Sequence, residues 1–393
     1  MRAVSGISAL SLSTGEGERP FLGGGKRVTT VDQQKIRRRG TGLTAYDPTL
    51  AYDGYTLFAP MFGDGTVYLI DMQGQTVHTW KLPHLPGLYG YLLDDGHLFY
   101  GGKPQADLER LPPWQRGFKA GVTMEVDWHG RVLWEVRHPD HHHDARKLRN
   151  GHVMLLCMEK MPRQLIPRIQ GGLPGTEHDG EMYADYLVEM TTGGETVWEW
   201  HSYGHMDPEV DRITPQDRRE EWTHGNTVAE MADGSLVLSF RNISTVVIVE
   251  RASGRVVWKL GPPTLAQQHD PRPLANGNLL IFDNGTHRQD HPWPFSRVIE
   301  VDPRTSRIVW EYRDPSPINF FSPYISGAQR LANGNTLICE GCFGRLFEVT
   351  SAMEVVWEYI SPHFGPSPRF GLNNFVFRAF RYSPAEIERA RGS

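Results

Sequence analysis

The chain has 393 residues with 41 basic and 46 acidic side chains, a formal net charge of −5 and no long basic block, which argues against a nucleic-acid groove. Hydrophobic residues make up 39% and charged residues 22%, and 41 glycines with 28 prolines point to a turn-rich, all-β soluble protein. No stretch approaches the ~20 apolar residues of a membrane span, and Cys157, Cys339 and Cys342 are too few for a disulfide framework.

In chain order, residues 1–42 read as an irregular leader. Ser, Gly and Glu interrupt every short apolar run from Met1 to Gly25, so no secretory signal is expected and the sequence points to the cytoplasm. The basic cluster Lys35 to Arg39 reads as a solvated tail. From there one unit recurs six times. Each copy closes on a β-branched strand carrying tryptophan: Trp80, Trp134, Trp198, Trp258, Trp310 and Trp357, spaced 54, 64, 60, 52 and 47 residues apart. These tryptophans read as blade-packing residues. Upstream in each copy stands a two-residue turn, Asp53-Gly54, Asp95-Gly96, Asn150-Gly151, Asp233-Gly234, Asn276-Gly277 or Asn333-Gly334, of the kind that closes tight hairpins.

Two hairpins per copy make a four-stranded blade, and six copies predict an all-β six-bladed β-propeller over residues 43–382. The blades fall at about 43–83, 87–138, 142–202, 223–261, 267–313 and 324–360. Blade 1 is one strand short before Asp53, so the apolar strand at 373–382 is expected to complete it and close the ring, leaving 383–393 as a short tail. The long insertions at 103–120 and 160–183 are expected to form lids or channel walls.

The innermost strand of each blade lines the channel, so residues at one register converge at one mouth. Seven residues before each turn stand Tyr46, Leu88, His143, Asn226, His269 and Ser326, and His224 shares the parity of Asn226. The second strands return to the same mouth and end on Met158 and Glu159, Arg241, Asp283 and Asn284, and Glu340. An arginine opposite several imidazoles, with amide donors nearby, suits a small oxyanion. The Cys339-Glu-Gly-Cys342 spacing lacks the second pair that a metal or redox motif would bring.

His142-His143-Asp144-Ala145, His224-Gly225-Asn226, Ser239-Phe240-Arg241, Gln268-His269-Asp270, Asp283 to Arg288 and the tail Asn374 to Tyr382 resemble the bacterial arylsulfate sulfotransferases, which are six-bladed propellers; the resemblance covers roughly residues 45–382. It implies a nucleotide-independent enzyme in which a histidine takes a sulfuryl group from an aryl sulfate and passes it to a phenol. By motif His269 would be the nucleophile, with His143, His224 and Arg241 completing the catalytic set. Asn226, Asn284, Arg288, Glu159 and Glu340 would help to bind substrate. No cofactor is then required.

Two alternatives remain at this stage. His142, His143, His224 and His269 could hold Fe, Cu or Zn for oxidative or lyase chemistry, with Asp270, Asp283 and Asn284 orienting them. The ring could also be a non-catalytic binding platform. The expected partner is a small aromatic or anionic molecule, without nucleic acid or membrane; a homodimer is left open.

Overall fold

The computed structural model describes residues 40–104, 111–367 and 369–392. The leader up to Arg39 and its basic cluster lie outside the described residues. Six antiparallel sheets form the blades of a six-bladed β-propeller. From the channel outward, blade 2 runs Leu85–Leu92, Leu98–Lys103, Val122–Val126 and Val132–Arg137. Blade 3 runs His141–Lys147, Val153–Lys160, Tyr183–Met190 and Thr196–His201, and blade 4 Gly225–Glu230, Leu236–Phe240, Thr245–Glu250 and Arg255–Leu260. Blade 5 runs His269–Pro273, Leu279–Asp283, Arg297–Asp302 and Arg307–Tyr312, and blade 6 Gly327–Arg330, Thr336–Glu340, Arg345–Val349 and Val355–Ile360.

The seam lies at blades 1 and 6. Val376–Tyr382 is the innermost strand of blade 1, ahead of Tyr55–Pro60, Thr66–Ile70 and Thr76–Lys81, so the closing strand joins the two ends of the ring and removes two free edges. The strand before Asp53 goes elsewhere. Gly42–Tyr46 pairs with Val355–Ile360 as a fifth, outermost strand of blade 6, with Tyr46 opposite Trp357. The expected start of blade 1 at 43 is therefore corrected, and Tyr46 leaves the set of channel residues. Gly54 differs accordingly: Gly96, Gly151, Gly234, Gly277 and Gly334 sit at φ between 84° and 93°, whereas Gly54 is not in the left-handed region, because no hairpin turns there. The C-terminal segment is a helix, Pro384–Arg391, opened by a Ser383/Glu386 capping box.

The core is a set of layers between blades. One apolar cluster lies at each of the six blade contacts, for example Met154 and Leu156 against Val228 and Leu238, or Leu280 and Phe282 against Ile338 and Phe347. Several outer-strand indoles fasten a blade to the next: Trp80 Nε1 donates to Asp127 O at 3.1 Å, Trp200 to Gly254 O at 2.8 Å and Trp357 to Met72 O at 2.9 Å. Register refines the repeat here. His78, not Trp80, faces the third strand of blade 1 at the place where Trp198 faces that of blade 3, each next to a bulge; Trp80 matches Trp200, two residues on. Among the described residues no helix is long and apolar enough to cross a membrane.

Candidate active site

Inner strands of blades 3, 4 and 5 share a local irregularity where they begin. Leu155 and Cys157 face Ala145 and His141, Phe240 and Ser239 face Gly225 and Thr227, and Phe282 and Leu280 face His269 and Arg272, so each inner strand carries extra residue length at the same level. His143 (φ 50°), His224 (φ 52°) and Asp270 (φ 53°) take left-handed backbone there, a conformation that costs about 1–3 kcal/mol at a non-glycine residue. Bulges of this kind re-aim side chains. Here they turn the imidazoles from the blade contacts toward the channel.

The result is a pocket of about 270 Å³ at one mouth, bounded by His143, His224, His269 and Arg241 and walled by Trp114, Phe118, Tyr324 and Phe370. Trp114 and Phe118 come from the insertion of blade 2, so part of that insertion forms a channel wall. The shape suits a flat aromatic body with an anionic head. Phe118 stacks on the His143 ring at 4.8 Å, and Phe377 of the closing strand lies 6.2 Å from His143 and 6.4 Å from His269.

Each pocket histidine has a different group behind it. His269 Nδ1 is 2.8 Å from Asn284 Oδ1, and Asn284 Nδ2 donates to Ser322 O at 2.8 Å and Ile325 O at 3.0 Å. Those two carbonyls fix the amide orientation, so its oxygen faces the imidazole. His269 therefore carries its proton on Nδ1, and the Nε2 lone pair is left without a partner among the described residues. Burial, followed by Arg241, holds the His269 imidazole well below its ordinary pKa, so it stays neutral. His224 Nδ1 lies 2.8 Å from Glu221 Oε2, a buried carboxylate that also accepts from Trp114 Nε1 and, at 2.7 and 2.8 Å, from Gln115 Nε2. His143 Nδ1 is 2.6 Å from Nδ1 of His142, itself buried against Asp185.

Arg241 is largely buried and held mainly by neutral groups, with one longer ion pair. Its guanidinium donates to Gln267 Oε1 at 2.6 Å and Asn242 Oδ1 at 3.1 Å, with Asp217 Oδ1 3.7 Å off and Tyr324 beneath its plane at 5.5 Å. Beneath the pocket the closing strand places Arg378, fully buried, 3.1 Å from Asp144 Oδ2 and 3.0 Å from Asp270 Oδ1, and donating to Thr227 Oγ1 at 2.7 Å. This ion cluster ties blades 1, 3, 4 and 5 together across the channel.

Other residues marked in the sequence are engaged elsewhere. Asn226 does not line the pocket; its Nδ2 donates to Gln268 O at 2.9 Å and links blades 4 and 5. Arg288 pairs with Asp283 and packs over Phe295, Glu159 is 2.6 Å from His201, and Glu340 pairs with Arg345 at 2.9 Å. Asn284 stands behind His269 and not in the pocket wall. Cys339 and Cys342 are buried, with thiol pKa values pushed up by burial and sulfurs directed at the Val376 and Tyr324 carbonyls. As for metal binding, the group of three ligand atoms within 4.8 Å of one another, among the described residues, is Asp95, His97 and Glu125, not the four histidines. His142 Nε2 is turned away to Asp185, and Arg241 stands where a divalent ion would be repelled. Glu221, Gln115, Phe118 and Asp185 carry no sequence signal of their own; Gln115 and Phe118 sit in an insertion, Glu221 in the connection between blades 3 and 4, and Asp185 in a third strand.

A closed ring with an imidazole and guanidinium pocket above a buried ion cluster defines the class: a six-bladed β-propeller built around one channel mouth. Residues 111–362 match the arylsulfotransferase (ASST) family, and the chain belongs to that family. No curated protein matches it in sequence. Among solved structures, a protein of unknown function from Bacteroides caccae aligns over 84% of this chain and 99% of its own at 14% identity and a TM-score of 0.50. Streptogramin B lyase aligns over 87% and 93% at 12% identity and 0.47, and virginiamycin B lyase from Staphylococcus aureus over 83% and 91% at 11% and 0.44. At 14% identity the first of these likenesses is one of fold alone.

Proposed function

We propose that the protein transfers a sulfuryl group from an aryl sulfate to a phenolic acceptor through a covalent intermediate on His269. The observation that carries this reading is the Asn284 amide, which holds the proton on His269 Nδ1 and leaves Nε2 as a neutral lone pair beside Arg241. In the first half-reaction Nε2 attacks sulfur, the sulfur to aryl-oxygen bond breaks, and the phenolate leaves with a proton from the imidazolium form of His224. Glu221, 2.8 Å behind His224, balances that cation. Arg241 meets the sulfate oxygens as charge redistributes over them. In the second half an acceptor phenol loses its proton to a pocket base, its oxygen bonds to sulfur, and the electron pair of the sulfur to nitrogen bond returns to His269. Exchange with solvent restores the two acid–base groups. The aromatic walls, Trp114, Phe118, Tyr324 and Phe370, supply faces for both aryl groups.

Incubation with 4-nitrophenyl sulfate is expected to release nitrophenol in a burst and to add one sulfuryl group to the intact mass, mapped by peptide analysis to His269. Neither should occur in His269→Asn. A wild-type protein that shows no burst and no mass increase overturns the reading for this donor class.

A further inference from the structure

The residues behind His143 form a continuous buried chain that the transfer steps above do not use. Asp185 is 1% exposed and His142 0%. Asp185 Oδ2 accepts from Thr223 Oγ1 and, at 2.6 Å, from Gly225 N, while Thr223 Oγ1 accepts from Asp185 N at 3.0 Å, which directs the hydroxyl proton to the carboxylate. Oδ1 is left facing His142 Nε2 at 2.9 Å. That contact is one of charge without hydrogen-bond alignment, and the carboxylate favours a proton on Nε2; His142 then presents a bare Nδ1, and the 2.6 Å contact places the proton on His143 Nδ1. The His143 lone pair, on Nε2, is turned to the pocket.

Gly225 belongs to the same construction. A Cβ at that position would fall 2.9 Å from Asp185 Cγ and 3.0 Å from its Oδ1, so only glycine lets the carboxylate lie against the inner strand of blade 4. The glycine of His224-Gly225-Asn226 is thus required by a side chain 40 residues earlier.

We infer that Asp185, acting through His142, is a positioning residue that fixes His143 as the acceptor of the phenol proton in the second half-reaction. This rests on the sulfuryl-transfer reading and divides its acid–base work: His224, backed directly by Glu221, serves the leaving aryl oxygen, and His143 the incoming hydroxyl. The acceptor O–H gives its proton to His143 Nε2 as the oxygen bonds to sulfur and the sulfur to His269 bond breaks. The charge gained by His143 is offset through His142 by the Asp185 carboxylate. The groups facing His143 are Phe118 from blade 2, His224 from blade 4, His269 from blade 5, and Phe377 and Arg378 from the closing strand. Asp144, next in sequence, is engaged by Arg378, Tyr89 and Val228 N. With no carboxylate against it, His143 is held well below its ordinary pKa by burial, then by the His142, His224 and His269 imidazoles and Arg378, so its lone pair is available at neutral pH.

Asp185→Asn tests the division, because the two half-reactions are observed separately. The nitrophenol burst and the sulfation of His269 should keep their rate, while turnover with a weakly acidic phenol falls about 100-fold. The defect should shrink as more acidic phenols are used, a trend that mere loosening of the pocket would not produce. Equal slowing of burst and turnover, or a defect independent of acceptor acidity, overturns the proposal. A second measurement uses the unmodified protein. The ¹⁵N resonances of labelled wild type, assigned with His142→Gln and His143→Gln, should report Nε2–H for His142 and Nδ1–H for His143; the reverse tautomers overturn the proposal even if Asp185→Asn fails to fold. Absence of any burst in wild type would instead remove the transfer reading, and the tautomers would still decide whether the chain is built as described.

Discussion

Two buried arginines, one above the other in the channel, are held in opposite ways. Arg378, in the interior, stands between Asp144 and Asp270 at 3.1 and 3.0 Å, so its charge is matched within the protein. Arg241, at the mouth, leans on the amide oxygens of Gln267 and Asn242, with Asp217 at 3.7 Å. A matched charge holds blades together and has little left for a ligand. A charge supported mainly by neutral dipoles, with one longer ion pair, keeps more of its field for an anion that arrives later. The same chain thus uses one residue type as a fastener and as a receptor, and the partners decide which.

Replacing Arg378 with Met should break the comparison most strongly. It removes the cation shared by two buried aspartates, leaving Asp144 with Arg146 at 3.8 Å and Asp270 with Arg272 at 2.8 Å, and should destabilise the ring by about 3 kcal/mol in chemical denaturation, whereas Arg241→Met should change stability by no more than about 1 kcal/mol. Equal losses would show that the two sites are not different in kind. In activity the order reverses: Arg241→Gln should lower the rate of nitrophenol release about 10²- to 10³-fold in stopped-flow assays.

A smaller effect sharpens the contrast among the histidines. Asn284→Asp would give His269 the kind of backing that His224 has from Glu221. A carboxylate at Nδ1 favours the imidazolium, so the rising limb of the pH–rate profile should move to higher pH. Asn284→Leu removes the orienting acceptor and should slow sulfation of His269 about 10- to 100-fold. An unmoved limb in Asn284→Asp would mean that Asn284 does not govern the tautomer.

The smallest effect is graded with acidity. Burial holds His141 down to about 3, and His143 and His269 well below the ordinary 6.5. Below 6.5 the unfolded chain binds protons that these folded sites refuse, so their contribution is complete above that value and is lost as the pH falls. Each histidine should remove about 1 kcal/mol per pH unit, read from denaturation midpoints at about pH 7.5 and about pH 5.5. His269→Asn should flatten the slope by its share.

The fold was legible because its signals are local. Turns such as Asn150-Gly151 and Asn276-Gly277 mark hairpins without reference to the rest of the chain, and counting back from them brings His143 and His269 to one level. Edge choice was not legible. Gly42–Tyr46 fits the count for an inner strand, yet it pairs on the far side of blade 6, and only contacts over 300 residues away decide that. Bulges hid the next detail: they place His224 in the pocket and leave Asn226, the residue at the counted position, in a link between blades. Backing groups were hidden for the most part as well. Asn284 stood out at a strand end, but Glu221 and Gln115 lie in connections whose sequence has no period, Asp185 stands in a third strand at a place the repeat does not mark, and they meet the histidines only once the ring closes.

The closing strand couples manufacture to activity. Val376–Tyr382 follows all six blades in the sequence, yet it supplies Phe377 beneath the imidazoles and Arg378 between the aspartates. A nascent chain on the ribosome can stack blades 2 to 6 and still lack the chamber floor, and long-range pairing of this kind forms late. The pocket would therefore form in one step, once the closing strand has emerged, and a chain broken before Val376 would be an open arc with its histidines unsupported.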